Sequence, residues 1–146
     1  MPTSEPDCPF CEIVQRDDSD VREVYRDDVV VVFAPTEPAT LGHLLVIPKV
    51  HTQDIWSVDE DVARALASTT VRMSHAIRAA VEPDGLNVIQ SNGEAATQTV
   101  MHLHVHLVPR WHKDPIGRIW PPETAYSEGA KDSVYAAIRA AANGTA

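Results

Sequence analysis

Basic charge is scarce in this sequence. Lys and Arg number 12 against 21 Asp and Glu, a formal net charge of −9. Binding to a DNA or RNA backbone runs on clustered cations, and so does attraction to an anionic membrane surface. Nucleic acid and membrane partners are therefore both disfavoured. Long apolar runs are missing as well. The longest, Val29–Ala34, has six residues, whereas a membrane-spanning helix needs about 20. Residues 1–7, MPTSEPD, hold no basic stretch and lead into no apolar one. A secretory leader is not expected, and the expected address is cytoplasmic. Cysteine occurs only at Cys8 and Cys11, and without a leader an extracellular disulfide is not expected. Nor are staples needed, because 146 residues that are 44% apolar can bury an ordinary core. Internal repeats and low-complexity tracts are absent. The expectation is a single domain over 1–146, with a short disordered lead at 1–7 and a C-terminal extension at 121–146.

Cys8-Pro9-Phe10-Cys11 opens an apolar turn that continues as a brief helix through Val14, and Arg16–Asp20 reads as a polar loop. Val21–Tyr25 and Val29–Phe33 are β-branched runs around Arg26-Asp27-Asp28, the pattern of a hairpin. Pro35 and Pro38 break it. Gly42 then precedes His43–Ile47, a buried strand stopped by Pro48. Ser57-Val58-Asp59-Glu60 has the capping-box spacing. Val62, Leu66, Thr69, Met73, Ile77 and Ala80 follow at intervals of three and four, a strong helix signal, and Pro83–Gly85 ends it. Leu86–Gln90 reads as a strand, Ser91–Thr97 as a polar loop, Val100–Val108 as a strand stopped by Pro109, and Val134–Ala142 as an Ala-rich terminal helix. Strands, one long helix, then strands predict an α+β fold: an antiparallel sheet with the long helix on one face and a short C-terminal helix.

Of seven histidines, three fall within five residues, in His102-Leu103-His104-Val105-His106-Leu107-Val108. Side chains alternate along a strand. His102, His104 and His106 then line one face, while Leu103, Val105 and Leu107 enter the core from the other. Neutral imidazole is a nucleophile, a proton shuttle and a metal ligand near neutral pH. A polar face without chemistry and a three-histidine metal site are the competing readings. His75, on the long helix, and His112, past the strand end, read as non-functional.

The run from Asn92-Gly93-Glu94 through Gln98-Thr99-Val100-Met101 to His102-Leu103-His104-Val105-His106-Leu107-Val108-Pro109-Arg110 resembles the signature of the histidine triad (HIT) family of nucleotide hydrolases and transferases. The similarity extends through Gly42–His51 to Cys8–Cys11 and covers roughly residues 8–120. It implies a HIT-like fold and a concrete mechanism. His104 would attack the α-phosphorus and form a nucleotidyl-imidazole intermediate. His106 would hydrogen-bond the phosphate or the bridging atom and help the leaving group. Water would then release the nucleoside monophosphate, splitting one displacement into two. Gln98 and Thr99 match positions that contact the phosphates and the leaving group. Asn92 falls where the family places a phosphate-binding Asn, with Ser91 an equal match, and His43 matches a histidine close to the nucleophile. The acidic balance does not forbid phosphate, since neutral donors hold it at close range. The resemblance further implies a purine nucleotide as substrate and a twofold homodimer with the long helix and a strand edge at the interface. Trp120, followed by Pro121-Pro122, matches an aromatic that reaches the partner's site in some relatives.

Cys8 and Cys11 form a C-x-x-C pair. A glutaredoxin-like redox motif should follow a strand and open a long helix, yet only seven residues precede this one. The other reading is zinc, since two thiolates at this spacing supply half a tetrahedral site. In zinc-bearing HIT relatives the other ligands are the histidine after the Pro-Lys pair, here His51, and the first triad histidine, here His102. The resemblance thus implies a structural zinc at Cys8, Cys11, His51 and His102.

Two positions depart from the family pattern. Relatives usually carry Asp or Asn, holding the ribose hydroxyls, where this chain has Pro35; Thr36 and Glu37 are the neighbouring substitutes. The family's glycine before the matching glutamine is Thr97 here. The resulting expectation is a hydrolase acting on a nucleotide phosphoanhydride or phosphoramidate through a nucleotidyl-histidine. A nucleotidyl transferase or phosphorylase acting on dinucleoside polyphosphates is the alternative within that class. A non-catalytic nucleotide-binding protein is the alternative outside it.

Overall fold

The computed structural model describes residues 4–15 and 20–144. The chain groups into two compact units, Met1–Pro115 and Ile116–Ala146. The first holds α1 (Pro9–Gln15), β1 (Glu23–Arg26), β2 (Val30–Phe33), β3 (Leu44–Pro48), α2 (Glu60–Val81), β4 (Gly85–Gln90) and β5 (Val105–Arg110). The second holds α3 (Glu128–Ala142). Of the expected loop at Arg16–Asp20, all but Asp20 lies outside the described residues.

The five strands form one antiparallel sheet in the order β1-β2-β3-β5-β4. Two of its inner strands, β2 and β3, are continuous apolar runs because both of their faces are covered. On one face Val30, Val32, Leu44, Val46, Leu103, Val105 and Leu107 pack with Leu66, Met73 and Ile77 of α2. On the other, Val31, Phe33, Leu45 and Ile47 pack with Cys8, Phe10 and Cys11. The seven-residue α1 therefore covers the sheet face opposite the long helix. The hairpin between β1 and β2 closes on Asp27, whose Oδ1 accepts from Val29 N and Val30 N at 2.8 and 2.9 Å. Those donors hold its carboxyl below the usual carboxylate range.

Several boundaries differ from the sequence pattern. Ser57 does not cap α2. The N-cap is Asp59, which accepts from Asp61 N, while Ser57 joins a turn whose N–H bonds to Asp54 Oδ1. Ala80 is exposed, and Val81 packs on the core in its place. The helix ends there because Glu82 turns left-handed at φ 47°. α3 begins at Glu128 rather than Val134, capped by Ser127, whose hydroxyl accepts from Ala130 N. The expected lead is placed from Ser4 onward, with Glu5 N donating to Cys11 Sγ at 3.5 Å.

The largest difference is in the triad segment. β5 starts at Val105 instead of Val100, and it runs through Pro109 instead of stopping before it. Leu103 N is taken by Thr52 O at 2.7 Å, outside any ladder. Pro109 is tolerated because its carbonyl accepts from Thr40 Oγ1 at 2.7 Å, beyond the last pair with β3, Leu44–Leu107. Its nitrogen faces that same side, so the missing N–H costs no ladder bond. Gly42, at φ 102°, lies where a Cβ would come within 3.1 Å of Pro109 Cγ.

Candidate active site and metal centre

The alternation expected of His102, His104 and His106 survives although the first two precede the strand. Leu103, Val105 and Leu107 point to the α2 core, and the imidazoles point to the α1 face, where Phe10 meets both His102 and His104. The face is not an open surface, however. His102 is 0% exposed and His104 5%, because α1 lies over them.

Hydrogen bonds set the tautomer of each imidazole. His102 Nε2 is 2.8 Å from Pro48 O. A carbonyl only accepts, so the proton is on Nε2 and the Nδ1 lone pair is left for the thiols. His104 is reversed, with Nδ1 2.8 Å from the carbonyl of His102. Its proton is on Nδ1 and its lone pair on Nε2. His106 is set by a relay. Ala39 N donates to His43 Nδ1 at 3.0 Å, so His43 carries its proton on Nε2 and donates it to His106 Nδ1, also at 3.0 Å. His106 must then hold its own proton on Nε2. A base and a donor thus stand side by side, with ring centroids 4.9 Å apart.

All four imidazoles are held neutral. Burial pushes the His106 pKa down to about 4, with smaller contributions from His104 and His43. Burial also brings His102 to about 4, against the opposing pull of the Pro48 carbonyl. His104 and His43 are lowered by burial too. A neutral His104 keeps the lone pair a nucleophile needs.

His43, His104 and His106 border a cavity of about 420 Å³. Phe10, Ile13, Phe33 and Leu45 give it an apolar wall, and Arg22, Pro35, Thr36, Glu37 and Thr99 complete it. An apolar wall with a few convergent polar groups suits a flat heteroaromatic ring joined to a phosphate. A second cavity of about 560 Å³ lies on the thiol side, beside Glu5, Asp7 and His51. Of the two, it is the smaller space that His43, His104 and His106 border.

The other expected binding residues fare differently. Thr99 is exposed at the cavity. Gln98 is buried and fully engaged, with Oε1 accepting from Gly93 N and Nε2 donating to the carbonyls of Gln53 and Val100. Asn92 accepts from Ile55 N and exchanges amide bonds with Gln90. Gln98 and Asn92 are thus clips of the 92–100 loop rather than free donors. His43 has both nitrogens committed, Nδ1 to Ala39 N and Nε2 to His106 Nδ1. Thr97, in place of the expected glycine, sits at φ 68°, a left-handed conformation that a β-branched residue adopts at a cost. Phe10 was not singled out by sequence, although its place between two cysteines was the available signal.

Cys8, Cys11, His51 and His102 come together. Their ligand atoms all lie within 4.8 Å of one another. Cys11 Sγ is 3.3 Å from His51 Nδ1, and both thiols are 3.6 Å from His102 Nδ1. The Pro48 bond leaves the required lone pair on His102 Nδ1. Burial raises the Cys11 thiol above its ordinary value, a cost that a bound cation would reverse by taking the thiolate. The donor set fits a tetrahedral metal ion of zinc's character.

The sequence profile described as HIT domain matches residues 16–113. An Arabidopsis thaliana protein named Adenylylsulfatase HINT3 is 36% identical over 77% of this chain and 56% of its own length. The crystal structure of a HIT family protein from Bacillus anthracis superposes with a TM-score of 0.83 at 34% identity, covering 94% of this chain and 99% of that one. A zinc-bound histidine triad family protein from Mycobacterium smegmatis gives 0.71 at 35% identity, over 80% of this chain and 84% of its own. With the triad, its tautomers and the thiol cluster in place, the chain belongs to the HIT domain family.

Proposed function

We propose that the protein is a nucleotide hydrolase that cleaves a phosphoanhydride or phosphoramidate through a nucleotidyl-His104 intermediate, with a structural zinc at Cys8, Cys11, His51 and His102. The observation that carries this is the bond from His104 Nδ1–H to the His102 carbonyl, which leaves Nε2 as the nucleophilic atom. In the first step the Nε2 lone pair forms a bond to the α-phosphorus while the bond from phosphorus to the leaving group breaks. His106 Nε2–H donates to the bridging atom or a phosphoryl oxygen as charge builds there. The imidazolium so formed keeps its Nδ1–H on the His102 carbonyl. In the second step water attacks phosphorus and releases a proton to solvent, the electron pair of the N–P bond returns to Nε2, and the nucleoside monophosphate departs. Thr99 is placed to hold a phosphoryl oxygen. Zinc, when bound, supplies no open coordination position and serves to fix α1 and His102.

The adenylylsulfatase named among the relatives makes a nucleoside phosphosulfate one candidate substrate, beside phosphoramidates and dinucleoside polyphosphates. A purine suits the apolar wall. Transfer to an acceptor other than water is the alternative outcome of the second step. A purely nucleotide-binding protein is favoured by Pro35, which has no side-chain group for the ribose hydroxyls, and is opposed by the poised His104. The protein is further proposed to be a homodimer joined along β4, an edge strand with Val88 54% exposed. Among the described residues no helix is long and apolar enough to cross a membrane. Mass spectrometry after incubation with a panel of these three nucleotide classes tests the reading. A nucleotidyl adduct on native protein that is lost in His104→Asn is expected, and turnover without any adduct on His104 overturns it.

A further inference from the structure

We infer that Phe10 is a positioning residue: carried between the two thiols on α1, its ring, set perpendicular to the His104 imidazole, fixes the plane of that imidazole and transmits the state of the thiol cluster to the nucleophile. The inference rests on the proposed role of His104 and adds a residue that role does not contain.

The geometry is specific. Phe10 is 8% exposed. Its ring meets His104 with centroids 5.1 Å apart and planes at 87°, and meets His102 at 5.9 Å and 73°. Phe33 braces it at 5.4 Å and 73°. These are edge-to-face arrangements of the favoured kind. The bond from His104 Nδ1–H to the His102 carbonyl pins one atom of the ring and leaves a swing about that atom. Phe10 and His106 close that swing. A swing would carry Nε2 off the line of attack, and misplacement of about 1 Å costs on the order of a hundredfold.

The link to the cluster follows from how α1 is held. A helix of seven residues has no stability of its own. Its C-terminal end is tied by Arg26, which donates to the carbonyls of Ile13 and Val14 at 3.1 and 2.9 Å. Its N-terminal end, where Phe10 sits, is tied through the thiols: Cys11 Sγ lies 3.3 Å from His51 Nδ1, and both thiols lie 3.6 Å from His102 Nδ1. His102 keeps a separate anchor in its bond to the Pro48 carbonyl. Loss of the cluster therefore releases Phe10 before it releases His102.

The test uses the full zinc-loaded chain and reads two things: the mobility of the His104 ring, by NMR relaxation of its imidazole carbons without substrate, and the single-turnover rate of adduct formation at saturating nucleotide. Native protein is expected to show a rigid ring. Phe10→Leu should keep stoichiometric zinc, show a mobile ring and form the adduct about tenfold more slowly. Phe10→Tyr, which retains the aromatic ring, should restore the rigid imidazole and come within about threefold of the native rate. Chelation should slow native protein about tenfold but Phe10→Leu less than about threefold, because one contact cannot be lost twice. A zinc-loaded Phe10→Leu with native ring mobility and native rate overturns the inference. So does equal slowing of native and Phe10→Leu by the chelator. Should Phe10→Leu not fold, Phe10→Met enters the same comparison. If no nucleotide gives an adduct, the hydrolase reading falls, while the substrate-free ring mobility still decides the role of Phe10.

Discussion

The thiol end and the cavity end of the triad are built from the same side chain and present opposite nitrogens. At the thiol end His102 surrenders Nε2–H to a backbone carbonyl and turns Nδ1 toward Cys8 and Cys11. Two residues on, His104 surrenders Nδ1–H to a backbone carbonyl and keeps Nε2 for the cavity. Burial pushes both toward the neutral form, so electrostatics does not separate them. What separates them is which nitrogen the main chain occupies. Which nitrogen a histidine offers here is assigned by its backbone partner.

The sharpest way to break this comparison is to change one end and watch the other. His104→Asn should lower kcat by about 10⁴ or more while zinc content stays at the native level, as metal analysis beside a turnover assay would show. Loss of metal from that variant would merge the two ends into one site. His106→Asn should be milder, on the order of 10²–10³ in kcat, again with zinc retained. His106 also predicts a pH effect on stability. Its folded pKa is about 4 against an ordinary 6.5, so in that window the unfolded chain binds the extra proton. Stability should be full above pH 6.5 and fall as the pH drops toward 4. Denaturant titrations of His106→Asn should show a shallower slope over that window.

At the thiol end, zinc at about a thousandfold excess over its Kd should add about 4 kcal/mol of stability. Calorimetry with and without chelator reads this directly. Cys8→Ala should abolish the difference and lower metal content together, and a Cys8→Ala, Cys11→Ala double variant with stoichiometric zinc would sink the assignment. The smallest expected effect lies between the two ends, at Thr97. Replacing it with glycine removes the left-handed penalty and adds some unfolded-state entropy, for a net gain of about 0.5–1 kcal/mol. A thermal midpoint unchanged or lowered in Thr97→Gly would mean that the Thr97 hydroxyl, which donates to the Ala96 carbonyl at 2.6 Å, offsets the strain.

Much of this site could be read from residue order. The period-two spacing of His102, His104 and His106 correctly placed them opposite Leu103, Val105 and Leu107, and the family pattern brought Cys8, Cys11, His51 and His102 to one point. The heptad-like spacing of Leu66, Met73 and Ile77 located the long helix. What could not be read was set by main-chain groups. The carbonyls of Pro48 and His102 and the N–H of Ala39 decide the tautomers, and backbone atoms carry no signature in the sequence. The strand was drawn too early because alternation persists through Met101–His104 even though Leu103 bonds to a loop at Thr52. The intramolecular partners of Asn92 and Gln98 could not be read either, because polar side chains in a loop look alike until their neighbours are known. Ser57 and Asp59 both offer a capping oxygen, and only the geometry of the Asp54 turn chooses between them.

The position of β4 bears on how this protein behaves at high concentration. The segment Gly85–Gln90 reads GLNVIQ, without charge or proline, and lies at the margin of the sheet. A margin of that composition offers a row of backbone donors and acceptors to any extended chain that arrives, folded partner or not. A short uncharged strand with Val88 and Ile89 at its centre is also open to cross-β stacking. Solubility and pairing therefore draw on the same surface. A partner strand paired to β4 would also guard against precipitation, and a lysine at Val88 would show it by keeping the chain dispersed while preventing such a cover from forming.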